Sequence, residues 1–345
     1  MEQMRKEIRE QPDVLRALVD KEYPAIRAIA EELGKRDIRY VVIAARGSSD
    51  NAATYAKYLF GAANHLTVAL AAPSLYTIYE TPPRLEDALV LAISQSGASP
   101  DIVAVVEEAR AQGAPTLAIT NVPDSRLAQA AERVISLQAG EERSVAATKT
   151  YTAELMALAL LSVALNDDRH ALEQLRRVPE SVARTLELEE TIAQGAERYH
   201  SMLSCAVIGR GYNYATAFEI ALKLKELTYT GATPYSSADF LHGPIAVVDP
   251  GFPVLLVAPG GRMQPDLLGL VAELEQRDAE LLVISDDPQM LEHAQSPIRL
   301  PLSVDEWLSP FTAVVPGQLL AYHLALARGL DPDCPRGLHK VTETR

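Results

Sequence analysis

The fold of this chain is decided by the stretch YVVIAARGSSD, which runs from Tyr40 to Asp50. Its first five residues are apolar, three of them β-branched, and a polar turn that contains Gly47 follows directly. A strand that is buried on both faces of a sheet has this composition. Three more apolar runs follow at helix-length intervals, at residues 88–93, 116–119 and 134–137. This alternation predicts an α/β fold, in which right-handed βαβ units build a doubly wound parallel sheet.

The same alternation returns in the second half of the chain, after a helical stretch at about 151–200. Its apolar runs lie at residues 205–208, 254–258, 281–284 and 298–300. When Arg46 of the first half is aligned with Arg210 of the second, Ile93 and Val257 both lie 47 residues further on. The next runs end 73 and 74 residues further on, and the last runs end 91 and 90 residues further on. Three matching offsets predict that one doubly wound domain occurs twice in tandem.

This pattern divides the sequence into five parts. Residues 1–36 form a helical leader, because apolar residues recur at helical spacing, and Gln11-Pro12-Asp13 predicts a break in that helix. Two doubly wound domains follow at residues 37–165 and 201–330, joined by a helical connection at 166–200. Residues 331–345 form a tail.

Composition excludes several classes of protein. The chain has 32 Lys and Arg against 46 Asp and Glu, and a net charge of −14 repels nucleic acid and anionic membranes. Two cysteines are too few for a disulfide framework, and seven histidines without a His-x-x-x-His pair give a metal site no support. A charged N-terminal segment and an apolar run of only Leu155 to Leu165 predict neither signal peptide nor membrane span. We expect a soluble cytoplasmic protein without a cofactor.

Two serine-rich turns follow the first two predicted strands. One carries Ser48 and Ser49, and the other carries Ser94, Ser96 and Ser99. Ligands of such sheets bind beyond the carboxyl ends of the strands, and Gly97 permits a tight turn whose amides converge on a phosphate. The alternative is that Ser and Asp merely cap helices. Two such turns at one edge favour an anion site, and the absence of a Walker or dinucleotide pattern argues against a nucleotide.

A charged helix face and two isolated residues complete the candidates. Glu219, Lys223 and Glu226 share one helix face at i, i+4 and i+7, which fits either an exposed ion-pair ladder or a general base beside a lysine. His242 lies in a loop-like stretch, where a lone histidine is commonly structural. Lys340 lies in the tail, where a solvated lysine is the default interpretation.

Together these motifs resemble the sugar isomerase (SIS) superfamily. The resemblance is most specific to the isomerase half of glucosamine-6-phosphate synthases and to the SIS-type glucosamine-6-phosphate deaminases. It covers nearly the whole chain and implies two flavodoxin-like SIS domains in tandem. Its motifs are RGSS at 46–49, SQSG at 94–97, VAATK at 145–149, EIALKLKE at 219–226, LHGP at 241–244 and the tail lysine at 340.

The resemblance implies a role for each candidate residue. Glu226 moves a proton between C1 and C2 of the sugar, His242 assists ring opening, and Lys340 engages the open-chain carbonyl. The residues implied to bind the sugar phosphate are Ser48, Ser49, Ser94, Gln95, Ser96, Ser99, Val145, Ala146 and Lys223, the valine and alanine through their backbone. Because family members place the histidine across a subunit interface, the resemblance also implies a homodimer with shared active sites.

Differences between the synthases and the deaminases of this family indicate which reaction to expect. Synthases carry a fused glutaminase domain with an N-terminal cysteine, whereas this chain starts with its leader helix, so we expect no glutaminase. RGSSD at 46–50, SPDI at 99–102, GEE at 140–142 and KVT at 340–342 are more similar to the stand-alone deaminases. We therefore predict hydrolysis of glucosamine 6-phosphate to fructose 6-phosphate and ammonia. The alternatives are a stand-alone synthase-type isomerase domain, a fructosamine-phosphate deglycase and a non-catalytic module that senses a sugar phosphate.

Overall fold

Two five-stranded parallel sheets form the framework of the computed structural model, which describes residues 2–340. The predicted tail therefore extends beyond the described residues at positions 341–345. The strands of the first sheet are β1 Tyr40–Ala44, β2 Thr67–Leu70, β3 Ala88–Ile93, β4 Thr116–Thr120 and β5 Arg133–Ser136. Those of the second sheet are β6 Ser204–Gly209, β7 Gly231–Ser236, β8 Pro253–Val257, β9 Glu280–Ser285 and β10 Ser296–Arg299.

The two sheets have the same strand order. The first runs β2-β1-β3-β4-β5 and the second runs β7-β6-β8-β9-β10, with parallel pairing throughout. Every residue of β3 and β4 is buried, as expected for strands that are covered by helices on both faces. The predicted tandem of doubly wound domains is confirmed.

Fifteen α-helices occur within residues 2–340. They are α1 Gln3–Ala17, α2 Tyr23–Leu33, α3 Ser48–Asn64, α4 Ser74–Thr77, α5 Pro100–Ala111, α6 Arg126–Ala130, α7 Lys149–Leu165, α8 Arg169–Leu175, α9 Val178–Leu186, α10 Glu189–Ala196, α11 Asn213–Thr228, α12 Ser237–Leu241, α13 Gln264–Glu275, α14 Pro288–Glu292 and α15 Ser309–Ala327. In the described part of the chain, no helix has the length and apolar character that crossing a membrane requires.

The predicted break in the leader helix is wrong. Helix α1 continues through Pro12, and a π-helical segment, Leu18–Glu22, leads into α2. Proline lacks the N–H that would bond to the carbonyl of Ile8, four residues earlier. The side-chain amide of the buried residue Gln11 donates to that oxygen instead, over 2.8 Å, so the carbonyl is satisfied without a break.

Strands β2 and β7 were not predicted from the sequence. Both lie at a sheet edge, where they pair with β1 and β6. Three of the four residues of β2 are exposed, and β7 contains Pro234, which an edge strand tolerates. The sequence signal of a buried strand is therefore absent from both.

The described residues separate into two compact units. The first-sheet unit contains residues 13–143, 149–177 and 339–340, and the second-sheet unit contains residues 2–12, 144–148 and 178–338. These units are interleaved along the sequence, so the five-part division drawn from the sequence remains a proposal.

Candidate functional site

In the first-sheet unit, an ion pair joins the two serine-rich turns. Strands β1 and β3 are neighbours, so the turns that follow them leave the sheet at the same edge. Arg46, in the first turn, places Nε and Nη2 each 2.9 Å from Oδ2 of Asp101, in the first turn of α5. The Asp101 side chain is completely buried. The structure therefore brings the two turns together through an ion pair that no sequence motif indicated.

The turn after β3 folds around its own hydroxyl groups. Ser94 Oγ accepts a hydrogen bond from the amide of Gly97 over 3.2 Å, and Ser96 Oγ accepts one from the amide of Ala98 over 3.3 Å. Gly97 has φ +60, and a Cβ atom there would lie 2.1 Å from the hydroxyl of Ser125. Only glycine fits this position, which keeps the turn tight.

The capping interpretation is wrong for Ser99. Ser99 is the N-cap residue of α5, yet its side chain makes no capping hydrogen bond, and Gly47 has no side chain with which to cap α3. By contrast, Ser125 does cap α6, where it accepts from the amide of Ala128. Two helices of 17 and 12 residues thus begin beside the serines without a side-chain cap, and their first turns favour an anion.

Ser49 differs from the other serines. Its buried hydroxyl donates to Oε1 of Glu154, in α7, over 2.7 Å. Its neighbour Asp50 has a pKa raised by burial, an effect that the charge of Arg46 partly offsets. A phosphate contact from Ser49 would therefore come from its backbone amide while the hydroxyl remains on Glu154.

Lys340 is not a solvated tail lysine. Its Nζ lies 3.0 Å from Oε2 of Glu142, and only a quarter of its side chain is exposed. The completely buried carboxylate of Glu142 also accepts from the backbone amide and the hydroxyl of Thr150, over 3.2 and 2.6 Å, at the start of α7. From the sequence, Glu142 appeared only as part of a family motif, so its partnership with the tail was missed.

In the second-sheet unit, the charged face of α11 is buried rather than exposed. Lys223 has no exposed side-chain surface, and its Nζ lies 2.6 Å from Oε2 of Glu226 and 3.3 Å from Oε1 of Glu219. Burial lowers the pKa of Lys223, but the two carboxylates outweigh that effect and raise the pKa above its ordinary value. Glu219 is also fully buried, whereas Glu226 keeps 23% of its side chain exposed. The expectation of an exposed ion-pair ladder is wrong.

His242 and residues 145–148 of the VAATK motif lie in the same unit as Glu226, whereas Lys149 belongs to the first-sheet unit. His242 is exposed and ends the short helix α12, so the stretch that looked like a loop is largely helical. Val145 is half-buried and Ala146 is buried. Two hydrogen bonds hold the loop that contains them. The backbone amide of Ser144 donates to the Glu7 carboxylate over 3.2 Å, and the side-chain amide of Gln318 donates to the carbonyl of Thr148 over 3.4 Å.

The predicted site residues thus fall into two sets. The first-sheet unit holds Ser48, Ser49, Ser94, Gln95, Ser96, Ser99 and Lys340, and the second-sheet unit holds Val145, Ala146, Lys223, Glu226 and His242. Within residues 2–340, no group of three or more His, Cys, Asp or Glu side chains is arranged to hold a metal ion.

The paired sheets and these motifs define the class of protein. The SIS domain family matches residues 36–164 and 201–328, and the chain belongs to that family. Its similarity extends to the isomerising glutamine–fructose-6-phosphate aminotransferase of Thermococcus kodakarensis, with 37% identity over 347 residues. That match covers 98% of this chain and 57% of the relative, so the chain spans little more than half of such proteins.

Solved structures give the same picture. The C-terminal domain of glucosamine-fructose-6-phosphate aminotransferase from Francisella tularensis matches with a TM-score of 0.87 and 29% identity, over 96% of this chain and 98% of that one. A candidate phosphosugar isomerase from Silicibacter pomeroyi DSS-3 matches with a TM-score of 0.87 and 34% identity, over 96% and 99%. The glucosamine-6-phosphate deaminase of Thermotoga maritima, with 24% identity and a TM-score of 0.78 over 99% and 100%, shares the fold alone.

Proposed function

We propose that this chain is an aldose–ketose isomerase that acts on a hexose 6-phosphate, moving a proton between C1 and C2 of the sugar. The observation that carries this proposal is the pairing of Glu226 with Lys223. The Nζ atom of the fully buried Lys223 lies 2.6 Å from Oε2 of Glu226 and holds that carboxylate in place, while 23% of the Glu226 side chain is still exposed. A fixed carboxylate that reaches solvent is the group that a proton transfer between two adjacent carbons requires.

The chemistry divides among three residues. His242 protonates the ring oxygen so that the sugar opens, Lys340 engages the open-chain carbonyl, and Glu226 removes a proton from one carbon and returns it to the next. General acid–base help of this kind contributes roughly 10²–10⁴-fold to a rate. His242 is exposed, as a residue that meets a ligand must be.

The serine-rich turns supply the phosphate anchor. The hydroxyls of Ser94, Ser96 and Ser99 and the uncapped starts of α3 and α5 offer donors to one anion, because Ser94 and Ser96 accept hydrogen bonds from the amides of their own turn and keep their hydroxyl protons. An anchored phosphate orients the sugar, so that binding energy from a remote group is used at the reacting carbons.

The names of the relatives support fructose 6-phosphate as the ketose substrate. They favour the isomerase alternative over the hydrolytic deamination that the motifs predicted, because the deaminase resembles this chain in fold alone. Hydrolytic release of ammonia remains a prediction from the sequence motifs. The presence of Glu226, His242 and Lys340 in one chain supports catalysis over a module that only senses a sugar phosphate.

The proposed dimer has its own test. If His242 serves the site of a second copy of this chain, Glu226→Gln and His242→Ala are each nearly inactive as homodimers. Mixing them under conditions that exchange subunits creates one intact site in each mixed dimer, and activity returns to roughly a quarter of wild type. Verified subunit exchange without recovered activity would show that His242 serves its own chain or that its role is structural.

The deciding experiment for the reaction is exchange in deuterated water. Purified protein is incubated with fructose 6-phosphate, glucose 6-phosphate or glucosamine 6-phosphate while NMR follows deuterium at C1 and C2 and a parallel assay follows ammonia. We expect deuterium incorporation and ketose–aldose interconversion, both lost in Glu226→Gln. Ammonia release in step with the consumption of glucosamine 6-phosphate would favour the deaminase instead. Binding of all three sugars without any exchange would eliminate the isomerase.

A further inference from the structure

The tail that carries Lys340 is attached to the C-terminal end of α11. The backbone amide of Arg336 donates to the hydroxyl of Tyr229 over 2.8 Å, and the Arg336 guanidinium lies 4.2 Å from the centroid of the Tyr229 ring. A cation at that distance is attracted to the face of an aromatic ring. One side chain therefore holds both the backbone and the charge of Arg336.

Tyr229 occupies a constrained position. It is the C-cap of α11 and adopts the left-handed conformation, with φ 58, which residues other than glycine rarely adopt. Arg328 stabilises this turn, because its Nη1 donates to the carbonyl of Thr228 over 2.5 Å and to the hydroxyl of Thr230 over 2.9 Å. The direction of the Tyr229 side chain is thus fixed by its backbone, three residues after Glu226.

A second contact holds the beginning of the tail. The carboxylate of Asp333 accepts the amides of Gln3 and Met4 over 3.1 and 2.9 Å, at the first turn of α1. Beyond Arg336 the chain has little other support, since residues 336–339 are all exposed. A segment with few buried contacts opens easily, so its fixed points determine where the following residue lies.

We propose that Tyr229 is a positioning residue, which holds the tail through Arg336 so that Lys340, four residues further along, is presented to the carbonyl of the sugar. This inference rests on the proposed function, because it assigns Tyr229 to the step in which Lys340 acts. It couples the end of the helix that bears Glu226 to the segment that bears Lys340. Loss of the contact slows the reaction without removing a group that touches the sugar.

Three variants and two controls test the proposal. Tyr229→Phe removes the hydroxyl and keeps the ring, Tyr229→Leu removes both, and Arg336→Ala removes the cation from an exposed position. Tyr199→Phe is the matched control for the hydroxyl, since Tyr199 donates to Ser296 over 2.7 Å in the same unit. Arg198→Ala is the control for the arginine, because Arg198 is likewise exposed and its partner is Glu280. Kinetics of isomerisation and hydrogen–deuterium exchange of tail peptides are measured for each protein.

We expect kcat to fall about tenfold in Tyr229→Leu and in Arg336→Ala, with KM within about threefold of wild type, because phosphate anchoring is untouched. Amides of the tail exchange faster in both variants and not in the controls. Tyr229→Phe shows a smaller fall, and the double variant Tyr229→Leu/Arg336→Ala is no slower than Tyr229→Leu alone, because Tyr229→Leu already removes both the hydrogen bond and the ring–cation contact.

Two results overturn the proposal. One is hydrogen–deuterium exchange of the tail amides that is no faster in Arg336→Ala than in Arg198→Ala. Because Arg336 is exposed, its replacement leaves the fold intact. The other is faster tail exchange with kcat unchanged. If the wild-type protein has no isomerase activity, the proposed function is wrong, and so is the role given to Tyr229 in that reaction. Hydrogen–deuterium exchange of the tail peptides still shows whether Arg336 holds the tail. The two failures are therefore distinguishable.

Discussion

The Nζ atom of Lys340 lies 3.0 Å from Oε2 of Glu142, a carboxylate that has no exposed surface. A buried charge must be paired, and Glu142 gains its other hydrogen bonds from the amide and hydroxyl of Thr150. The tail is thereby tied to the start of α7 at the residue that the proposed mechanism needs. Glu142 is consequently a determinant of where Lys340 lies.

The first prediction follows from this pair. Glu142→Gln keeps an oxygen for the Thr150 amide but removes the charge that attracts Lys340, so we expect turnover to fall about tenfold. Glu141→Gln is the matched control, because Glu141 is the exposed neighbour and pairs with Arg143 instead. Steady-state kinetics of both variants check the prediction, and equal turnover would show that the ion pair is dispensable.

The second prediction concerns the base. Glu226→Gln keeps sugar-phosphate affinity within about tenfold and lowers turnover at least ~10²-fold, because proton transfer is lost while anchoring remains. Glu273→Gln, which breaks an exposed i,i+4 pair with Arg277 on α13, serves as the control. Isothermal titration and turnover assays separate the two effects, and near-normal turnover in Glu226→Gln would rule out the assigned base.

The third prediction compares two N-cap serines of one sheet. Ser99→Ala removes a hydroxyl that caps nothing, so we expect little loss of stability and a rise in KM of about 10- to 100-fold for the phosphorylated sugar. Ser125→Ala removes a true cap and lowers the free energy of unfolding by about 1 kcal/mol, with KM nearly unchanged. Thermal unfolding and KM measurements on both variants test this contrast. A loss of stability in Ser99→Ala with KM unchanged would show that the role of Ser99 is structural.

The fold could be predicted because its signals are local. Eight apolar runs marked eight of the ten strands within residues 2–340, and their matched spacing marked the two sheets. Strands β2 and β7 were missed because three of the four residues of β2 are exposed and β7 is interrupted by Pro234, so neither forms an apolar run. The continuation of α1 through Pro12 was not predicted. The side-chain amide of Gln11 replaces the backbone N–H that proline lacks, and residue spacing does not reveal this replacement.

Partners of the site residues were harder to predict than the residues themselves. The spacing of Glu219, Lys223 and Glu226 is the same on an exposed helix as on a buried one, and only packing distinguishes the two. Asp101 and Glu142 lie 55 and 198 residues from the groups that they bind, so no short motif contains either pair. Long-range ion pairs of this kind depend on the folded chain.

The fourth prediction concerns Lys223. Lys223→Met leaves the buried carboxylate of Glu219 without its cation, and we expect the free energy of unfolding to fall by about 3–5 kcal/mol. Lys223→Met/Glu219→Leu recovers part of this loss, because both buried charges are then gone, but turnover stays low since Glu226 has lost its partner. Urea unfolding and kinetics of the single and double variants check both statements. A double variant less stable than the single one would contradict them.

The fifth prediction concerns pH. Burial raises the pKa of Glu189, but hydrogen bonds from Arg5 and Arg9 outweigh it, so the folded-state pKa lies below the ordinary value. A carboxyl with a lowered folded-state pKa stabilises the protein above its unfolded pKa, and this stability is lost as pH falls through the folded value. We expect Glu189→Gln to be less stable than wild type at pH 7, and the difference to shrink below about pH 4.

Denaturant unfolding across this pH range measures the effect. Glu180→Gln is the control, because the exposed pair of Glu180 with Arg184 contributes little at any pH. A difference between Glu189→Gln and wild type that does not change with pH would mean that packing, not charge, is responsible.

The hydrogen bonds from Gln3 and Met4 to Asp333 also bear on biosynthesis. They join residues up to 330 positions apart, so the leader helix emerges from the ribosome long before its capping carboxylate exists. At roughly 5–20 residues per second, that interval is on the order of 15–65 s. Throughout it, the amides of Gln3 and Met4 lack this acceptor, so the first turn of α1 is completed only when nearly the whole chain has been made.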